Sequence, residues 1–375
     1  MFVRLKQIAL IIPPLLFTLM AGLSSMTSWF DRLSYDALSQ HYQPFSLSAN
    51  QVVLIDIDEA SIRRLSGWPI ERGVHAKVIE HLTQAGASSV TYNVAFVVPN
   101  TGRQSQDSRL LAAVKNNGRV VLPMLAESGD EMLPLGLSQI DGALFAHADL
   151  PVDQDGVLRR NYLLAGIAYP RWPSLSLATL KTFAPVKADD YSGLRSPYLN
   201  IGFSKQWSRD FEVFLPLGIE RFLPQVRRFS LSELLDDQIE PALFKDKAIF
   251  VGINNSTIEK KFQLTNGNSY SATEVQAYLF SGLNQGYALS PSLPVWATSL
   301  ALVTTLSFGL ICLVFLPIWV KLLLVGVLGL GVVLPVLLLK LGFWISYFPM
   351  LVGLMGVLLV LLLGKLIQQK QKSPA

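Results

Sequence analysis

Asp56-Ile57-Asp58 stands at the end of the apolar run Val52–Ile55. Two carboxylates so spaced at a strand end can serve as nucleophile and acid/base beside a metal in phosphoryl transfer. That chemistry wants Thr or Val at position 60, where this chain has Ala60, and no later lysine and acidic pair completes the set. The simpler reading is a strand that ends in one acid while a second caps the following turn. Trp68-Pro69 with Arg72 offers an aromatic face beside a guanidinium, a pairing suited to an anion or a sugar. Its alternative is a Trp68 that packs the loop and a Pro69 that fixes a helix start.

Asp153, Asp155 and Gly156 are too few in acids for a calcium loop and read instead as a β-turn into a strand from Val157. Arg159 and Arg160 then alternate faces, so at most one of them points inward. His41, His75, His81 and His147 show no metal-ligand spacing. The chain has no Gly-rich phosphate loop, no Gly-x-Ser-x-Gly elbow and no metalloprotease helix. The expectation is a non-enzyme that carries no cofactor and no metal.

The elements that must position these residues follow from periodicity. Val52–Asp58 begins as a continuous β-branched and apolar run, the pattern of a strand buried on both faces. Glu71–Ala85 places Val74, Val78, Ile79 and Leu82 on one helical face, and Gly86 closes it. Ser88–Val98 is a second apolar run, so strand, helix and strand predict a βαβ unit with parallel strands and a right-handed crossover. Asp107–Asn116 reads as a helix, Arg119–Leu125 and Lys247–Gly252 as strands, and Ser230–Asp236 and Thr273–Gly282 as helices. Residues 126–150 and 184–228 are rich in Gly, Pro and mixed polarity and read as loops or edge insertions.

Composition adds a second architecture to the first. The chain of 375 residues is 51% hydrophobic and only 15% charged, against about 25% charged in a soluble domain, and its mean hydropathy is +0.39. All 27 acids and 24 of the 31 bases lie within residues 31–293, a net −3, so the sequence pI near 9.0 is no nucleic-acid signal. The other seven bases, Arg4, Lys6, Lys321, Lys340, Lys365, Lys370 and Lys372, flank apolar runs. Gln7–Phe30 is uncharged and long enough to span a bilayer, with Pro13-Pro14 as a tolerated kink. A cleavable signal peptide ending near Gly22–Ser25 is its alternative. Three more spans are predicted at Val295–Trp319, Leu322–Leu339 and Leu341–Gly364, with Trp296, Trp319, Trp344 and Tyr347 near their ends.

The excess of bases on one side of these spans places both termini in the cytoplasm and residues 31–293 outside. The expected fold is thus an α/β exported domain with a mainly parallel or mixed sheet, plus an all-α membrane region of one N-terminal and three C-terminal helices. The expected segments are 1–30 (tail and helix), 31–293 (extracytoplasmic domain), 294–366 (three helices) and 367–375 (cytoplasmic tail), in the bacterial inner membrane. Cys312 is the only cysteine and lies within a span, so the exported domain relies on its core and not on disulfides. No Asp, Glu or Arg interrupts the spans, which counts against transport.

Leu54-Ile55-Asp56-Ile57-Asp58-Glu59-Ala60-Ser61, Gly67-Trp68-Pro69-Ile70-Glu71-Arg72, Ala85-Gly86-Ala87 and Tyr92-Asn93-Val94-Ala95-Phe96 occur in an order that resembles the type 2 CHASE domain. The name abbreviates cyclase/histidine-kinase-associated sensory extracellular. Asp153–Arg160 is similar to that family's Asp-x-Asp-Gly-x-x-Arg-Arg stretch, and Phe244–Gly252 to its late strand. The order of one helix before and three after is also the family's. The chain departs from the family at Ile70-Glu71 (usually Trp and Pro), at Asn93 (usually Asp), at Val97 (often an acid) and in the loop after Gly252, which lacks the usual acid near a Thr-Pro. Family members commonly continue into a cytoplasmic cyclase or kinase, whereas this chain stops about ten residues after its last predicted helix. The resemblance therefore implies a stand-alone sensory member.

Asp56, Asp58, Trp68, Arg72, Asn93 and Arg159 form the candidate ligand-binding set. The leading expectation is a signal-input protein that detects a ligand or envelope partner and relays it through its helices to a separate cytoplasmic effector. On that reading a charge reversal at Arg72 alters signalling without unfolding. The alternatives are a structural or assembly component of a cell-envelope complex and, more remotely, a degenerate exported enzyme. Expected partners are the lipid bilayer and a second copy or another membrane or envelope protein, with an unknown small-molecule ligand and no nucleic acid.

Overall fold

The structure is a computed structural model that describes residues 10–41, 47–97, 104–127, 129–191, 206–216, 218–287, 290–291, 294–314, 337 and 343–372. The chain divides into two compact units, one of Met1–Pro44 with Leu289–Ala375 and one of Phe45–Ala288. It opens with helices α1 (Ile12–Gly22) and α2 (Ser25–His41). Pro13 and Pro14 lie in the first turn of α1 and not at a kink within it, because the amide each lacks has no partner there in any case. The predicted single helix is interrupted instead at Leu23-Ser24, where the Ser24 hydroxyl bonds the Ala21 carbonyl at 2.9 Å.

The second unit is built on a mostly parallel sheet. Its strands are β1 (Val52–Ile57), β2 (Ser89–Asn93), β3 (Val120–Glu127), β4 (Asp130–Met132), β5 (Ala143–His147), β9 (Arg227–Ser230) and β10 (Ala248–Ile253), in the order β4-β3-β2-β10-β1-β9 with β5 on β3. Every pairing is parallel except that of β3 with β4. Within this unit the helices before β5 are α3 (Glu59–Arg64), α4 (Arg72–Gln84) and α5 (Gln104–Asn117). Gly86 at φ 76° ends α4 as predicted: its amide bonds Thr83 and that of Ala87 bonds Leu82, the two bonds of a left-handed C-terminal cap.

The predicted βαβ unit needs one correction. Both strands are parallel as expected, but they are not neighbours, since β10 lies between β1 and β2 and pairs with each. A strand 150 residues distant leaves no mark on the local pattern that would reveal the insertion. The second strand also stops at Asn93, short of the predicted Val98. Edge insertions, not loops, account for much of 126–150 and 184–228. β5 extends the main sheet, and β8 (Trp207–Phe214) pairs antiparallel with β6 (Arg160–Ile167), which also carries β7 (Trp172–Pro173).

A parallel sheet must be covered on both faces, and β1 shows how this chain does it. Val53, Ile55 and Ile57 point to α4, α5 and the short helix α7 (Leu231–Leu235), meeting Ile79, Leu82, Leu110 and Leu234. Val52 and Leu54 point the other way, toward α6 (Leu175–Phe183) and α8 (Ala272–Asn284). On that second face the β2 hydroxyls pair with those of α6, Ser89 with Thr182 and Thr91 with Thr179, both at 2.6 Å. All thirteen residues of α8 are buried, and its N-terminus carries a capping box of Ser271 and Glu274.

The first unit adds α9 (Pro294–Val314) and α10 (Phe348–Lys372), which pack with α1 pairwise. Thr18, Thr305, Ala21, Ala301 and Gly353 lie inside this bundle, where the Thr18 and Thr305 hydroxyls meet at 3.2 Å. Leu16, Phe17, Met20, Val303, Met355 and Leu359 are exposed on its outside. Helix α10 starts at Phe348, seven residues after the predicted Leu341, with Pro349 in its first turn. Phe343–Trp344 instead pairs with Ser290–Pro291. Among the described residues no helix is long and apolar enough to cross a membrane. The predicted span Leu322–Leu339 lies almost wholly outside the described residues, as does the end of Val295–Trp319.

Gly252 sits against the start of α8, and a Cβ there would clash with the Oγ1 and Cβ atoms of Thr273. Overpacking of a filled interior costs about 1–3 kcal/mol. Gly252→Ala is therefore expected to lower the unfolding free energy of the full chain by that amount, measured by chemical unfolding, while Gly73→Ala, which has no left-handed φ and meets nothing nearer than 3.9 Å, is the control expected to show no such loss.

Candidate functional site

Parallel strands all end on the same edge, and in open α/β sheets that carboxyl edge is where ligands bind. The register aligns Ser230, Asp56, Gly252 and Asn93 side by side across β9, β1, β10 and β2 at that edge. Strand alternation turns Asp56 and Asn93 to the face covered by α8, like Leu54 and Thr91 before them.

Asp56 is 5% exposed. Its Oδ2 accepts from Asn254 Nδ2 at 3.1 Å and pairs with Arg228 Nε at 2.9 Å. The other end of the same guanidinium pairs with Glu274 Oε1. Glu274 thus does two things at once, because its Oε2 accepts the Ser271 amide at 2.7 Å and closes the capping box of α8. Asn93 Nδ2 donates to Thr273 Oγ1 at 3.2 Å, one residue earlier on the same helix. Burial pushes the Asp56 carboxyl above its usual range, and Arg228 and Asn254 pull it back only in part. Arg228 is the solvent-facing member, with its side chain 39% exposed.

The other candidates have different work. Asp58 caps α3: it accepts the Ser61 amide at 2.8 Å, the Ser61 hydroxyl at 2.6 Å and the Ser230 hydroxyl at 3.0 Å. Burial raises its carboxyl, but these hydrogen bonds outweigh that and hold it below its usual value. Arg72 pairs with Asp107 at 2.5 Å between α4 and α5, with both side chains 13% exposed. Trp68, 36% exposed, lies in the segment joining α3 to α4. Arg159 is buried and clamps the turn before β6 through Asp153 at 2.9 Å and Asp155 at 2.8 Å, which holds the Asp155 carboxyl down to about 2. Its neighbour Arg160 pairs with Glu212 at 2.5 Å and also reaches Asp153 at 3.5 Å.

The structure therefore brings Asp56 and Asn93 to one row, with Asp58 two residues along the chain, and leaves Trp68, Arg72 and Arg159 elsewhere. Sequence reasoning missed Arg228, Asn254, Thr273 and Glu274. The Ser271-x-x-Glu274 spacing announces a helix start and could have found Glu274; nothing local marks Arg228 as the partner of Asp56. His75 and His147 are core residues, and burial lowers them to about 3 and about 4. Among the described residues no cluster of His, Cys, Asp or Glu is arranged to hold a metal ion. A surface groove between Leu111, Lys115 and Ile140 lies at the amino ends of β3 and β5 and holds none of the candidates.

Glu259 follows Asn254 in the turn after β10, and its Oε2 is buried without a hydrogen-bond partner. Burial lifts this carboxyl to about 7. The folded state then holds a proton that the unfolded chain gives up near pH 4.5, so stability from this group is full below 4.5 and is lost as pH rises through 7. Glu259→Gln should gain stability relative to the parent at pH 8 and lose that advantage at pH 4.5, read from urea unfolding at both values.

The enclosed Arg72–Asp107 pair leads to an expectation different from the one the sequence implied. Breaking one partner of a mostly buried pair costs about 3–5 kcal/mol. Arg72→Glu should thus unfold or strongly destabilise the domain, and adding Asp107→Arg should restore much of the loss in thermal denaturation.

The CHASE2 domain family matches residues 10–314 of the chain. No curated protein and no solved structure gives a match. With the match covering well over half of its length, the chain belongs to the CHASE2 domain family, whose domains are extracellular and sensory.

Proposed function

We propose that this is an integral membrane signal-input protein. Its CHASE2 domain detects a ligand or an envelope partner outside the cytoplasm, and its helices relay the change to a separate cytoplasmic effector. The observation that carries the sensing part is the Asp56–Arg228–Glu274 network at the carboxyl edge of the sheet. One partly exposed guanidinium there bridges two buried carboxylates, so anything that engages or displaces it changes the electrostatics beneath.

The membrane setting is supported by the outer face of the helical unit. Leu16, Phe17, Met20, Val303, Met355 and Leu359 face outward, while Thr18, Thr305, Ala21, Ala301 and Gly353 lie inside beside Phe308, Met350, Leu354 and Val357. A water-soluble bundle keeps its outer face polar, whereas in lipid apolar side chains meet the solvent and small residues and hydroxyls mediate helix contact. The uncharged runs of the sequence and the flanking lysines point the same way.

The test is affinity purification of the full chain from native membranes in mild detergent, with mass spectrometry of what accompanies it. A co-purified kinase, cyclase or comparable effector, lost or changed in Asp56→Asn, is the expected result. Recovery of envelope or secretion components alone, unaltered by that substitution, would instead assign the chain an assembly role.

A further inference from the structure

Helix α8 is held differently along its length. Its middle is fixed by apolar packing, with Val275, Tyr278, Leu279 and Phe280 buried in the core beneath β1 and β10. Both ends are fixed by polar contacts, each worth about 0.5–1.5 kcal/mol and more where a charge takes part. The N-terminal end carries the Glu274 contact to Arg228 and the Thr273 contact to Asn93.

The C-terminal end is a clasp. Gln285, just past α8, accepts the Ser48 amide at 2.9 Å and donates to the Ser48 carbonyl at 3.1 Å, so one side-chain amide pairs with both main-chain groups of a single residue. Ser281 donates to that same carbonyl at 3.1 Å, and Asn284 to Gln51 at 2.5 Å. Ser48 and Gln285 each lie three residues inside the ends of the compact unit, Phe45 on one side of the chain and Ala288 on the other. The clasp therefore ties the incoming segment of the domain to its outgoing one. A helix of thirteen residues covers about 20 Å between the two ends.

We propose that α8 is the transmitting element of the domain: the state of the Asp56–Arg228–Glu274 network is coupled through this rigid helix to the Ser48–Gln285 clasp, where both chain segments leave the domain. A buried helix packed on all sides cannot bend to absorb a shift at one end, so a change at Glu274 moves the helix against its far contacts. Those contacts are hydrogen bonds to Ser48 and Gln51, exposed residues that alternate with the core residues Leu47, Ala49 and Val52, so the clasp can open at its solvent side. The purpose assigned to this coupling rests on the sensory reading; the coupling itself is a property of the fold.

Hydrogen exchange followed by mass spectrometry, on the full chain in lipid nanodiscs, tests it. Arg228→Gln is expected to speed exchange of peptides covering 47–51 and 281–287 by about fivefold or more, with β2 and β3 peptides unchanged. Because coupling is reciprocal, Gln285→Leu should speed exchange at 271–276 by a comparable factor. Arg228→Lys keeps the charge and should give a smaller rise at both ends, and it decides the matter where Arg228→Gln loosens the whole domain. Effects confined to the end that was altered would overturn the proposal. Reciprocal effects without any effector in the purification would leave the coupling standing and remove the sensory reading; an effector recovered without reciprocity would do the opposite.

Discussion

The domain depends on a constraint of parallel pairing: strands that run the same way need long crossovers, and those crossovers must cover both faces of the sheet. β1 meets it by alternating residues between two cores, Val53, Ile55 and Ile57 to one side and Val52 and Leu54 to the other. The same alternation delivers Asp56 to the α8 side at the strand's carboxyl end. What would be an expensive place for a carboxylate becomes tenable because β9 brings Arg228 and the turn after β10 brings Asn254 to the same spot. The site is a by-product of how the sheet is covered.

Gly252 links the packing to the electrostatics. It occupies the register position between Asp56 and Asn93, and its missing side chain is the space into which Thr273 fits. With the helix seated that closely, Asn93 reaches Thr273 and Arg228 reaches Glu274 from opposite sides of the gap. A larger residue would lift the helix start away from the sheet and weaken both contacts together. Sterics at one position thus set two polar contacts that have no direct connection with each other.

The remaining candidates illustrate how one residue type serves different ends. Arg72, Arg159 and Arg228 each meet carboxylates, but Arg72 and Arg159 are enclosed by their partners while Arg228 keeps a large part of its side chain in solvent. An enclosed pair fixes geometry and resists exchange. A partly exposed guanidinium over buried carboxylates is open to competition from outside, which is the property that a responsive site requires.

Sequence alone determined the elements and their faces. The continuous apolar run made β1 a doubly buried strand, the 3.6-residue spacing fixed α4 and its cap at Gly86, and the order of motifs placed the chain among CHASE2 domains. It also singled out Asp56 and Asn93. Tertiary structure decided which of these residues meet. Only the sheet order, with β10 inserted between β1 and β2, set Asp56 beside Gly252 and Asn93, and only the seating of α8 supplied Glu274 and Thr273. Arg72 and Arg159, which spacing alone made plausible ligand contacts, proved to be bound within the protein. The physical reason is the range of the forces involved: periodic burial is written into neighbouring residues, whereas the pairing of positions 56, 228 and 274 exists only after the chain has closed loops of 172 and 46 residues.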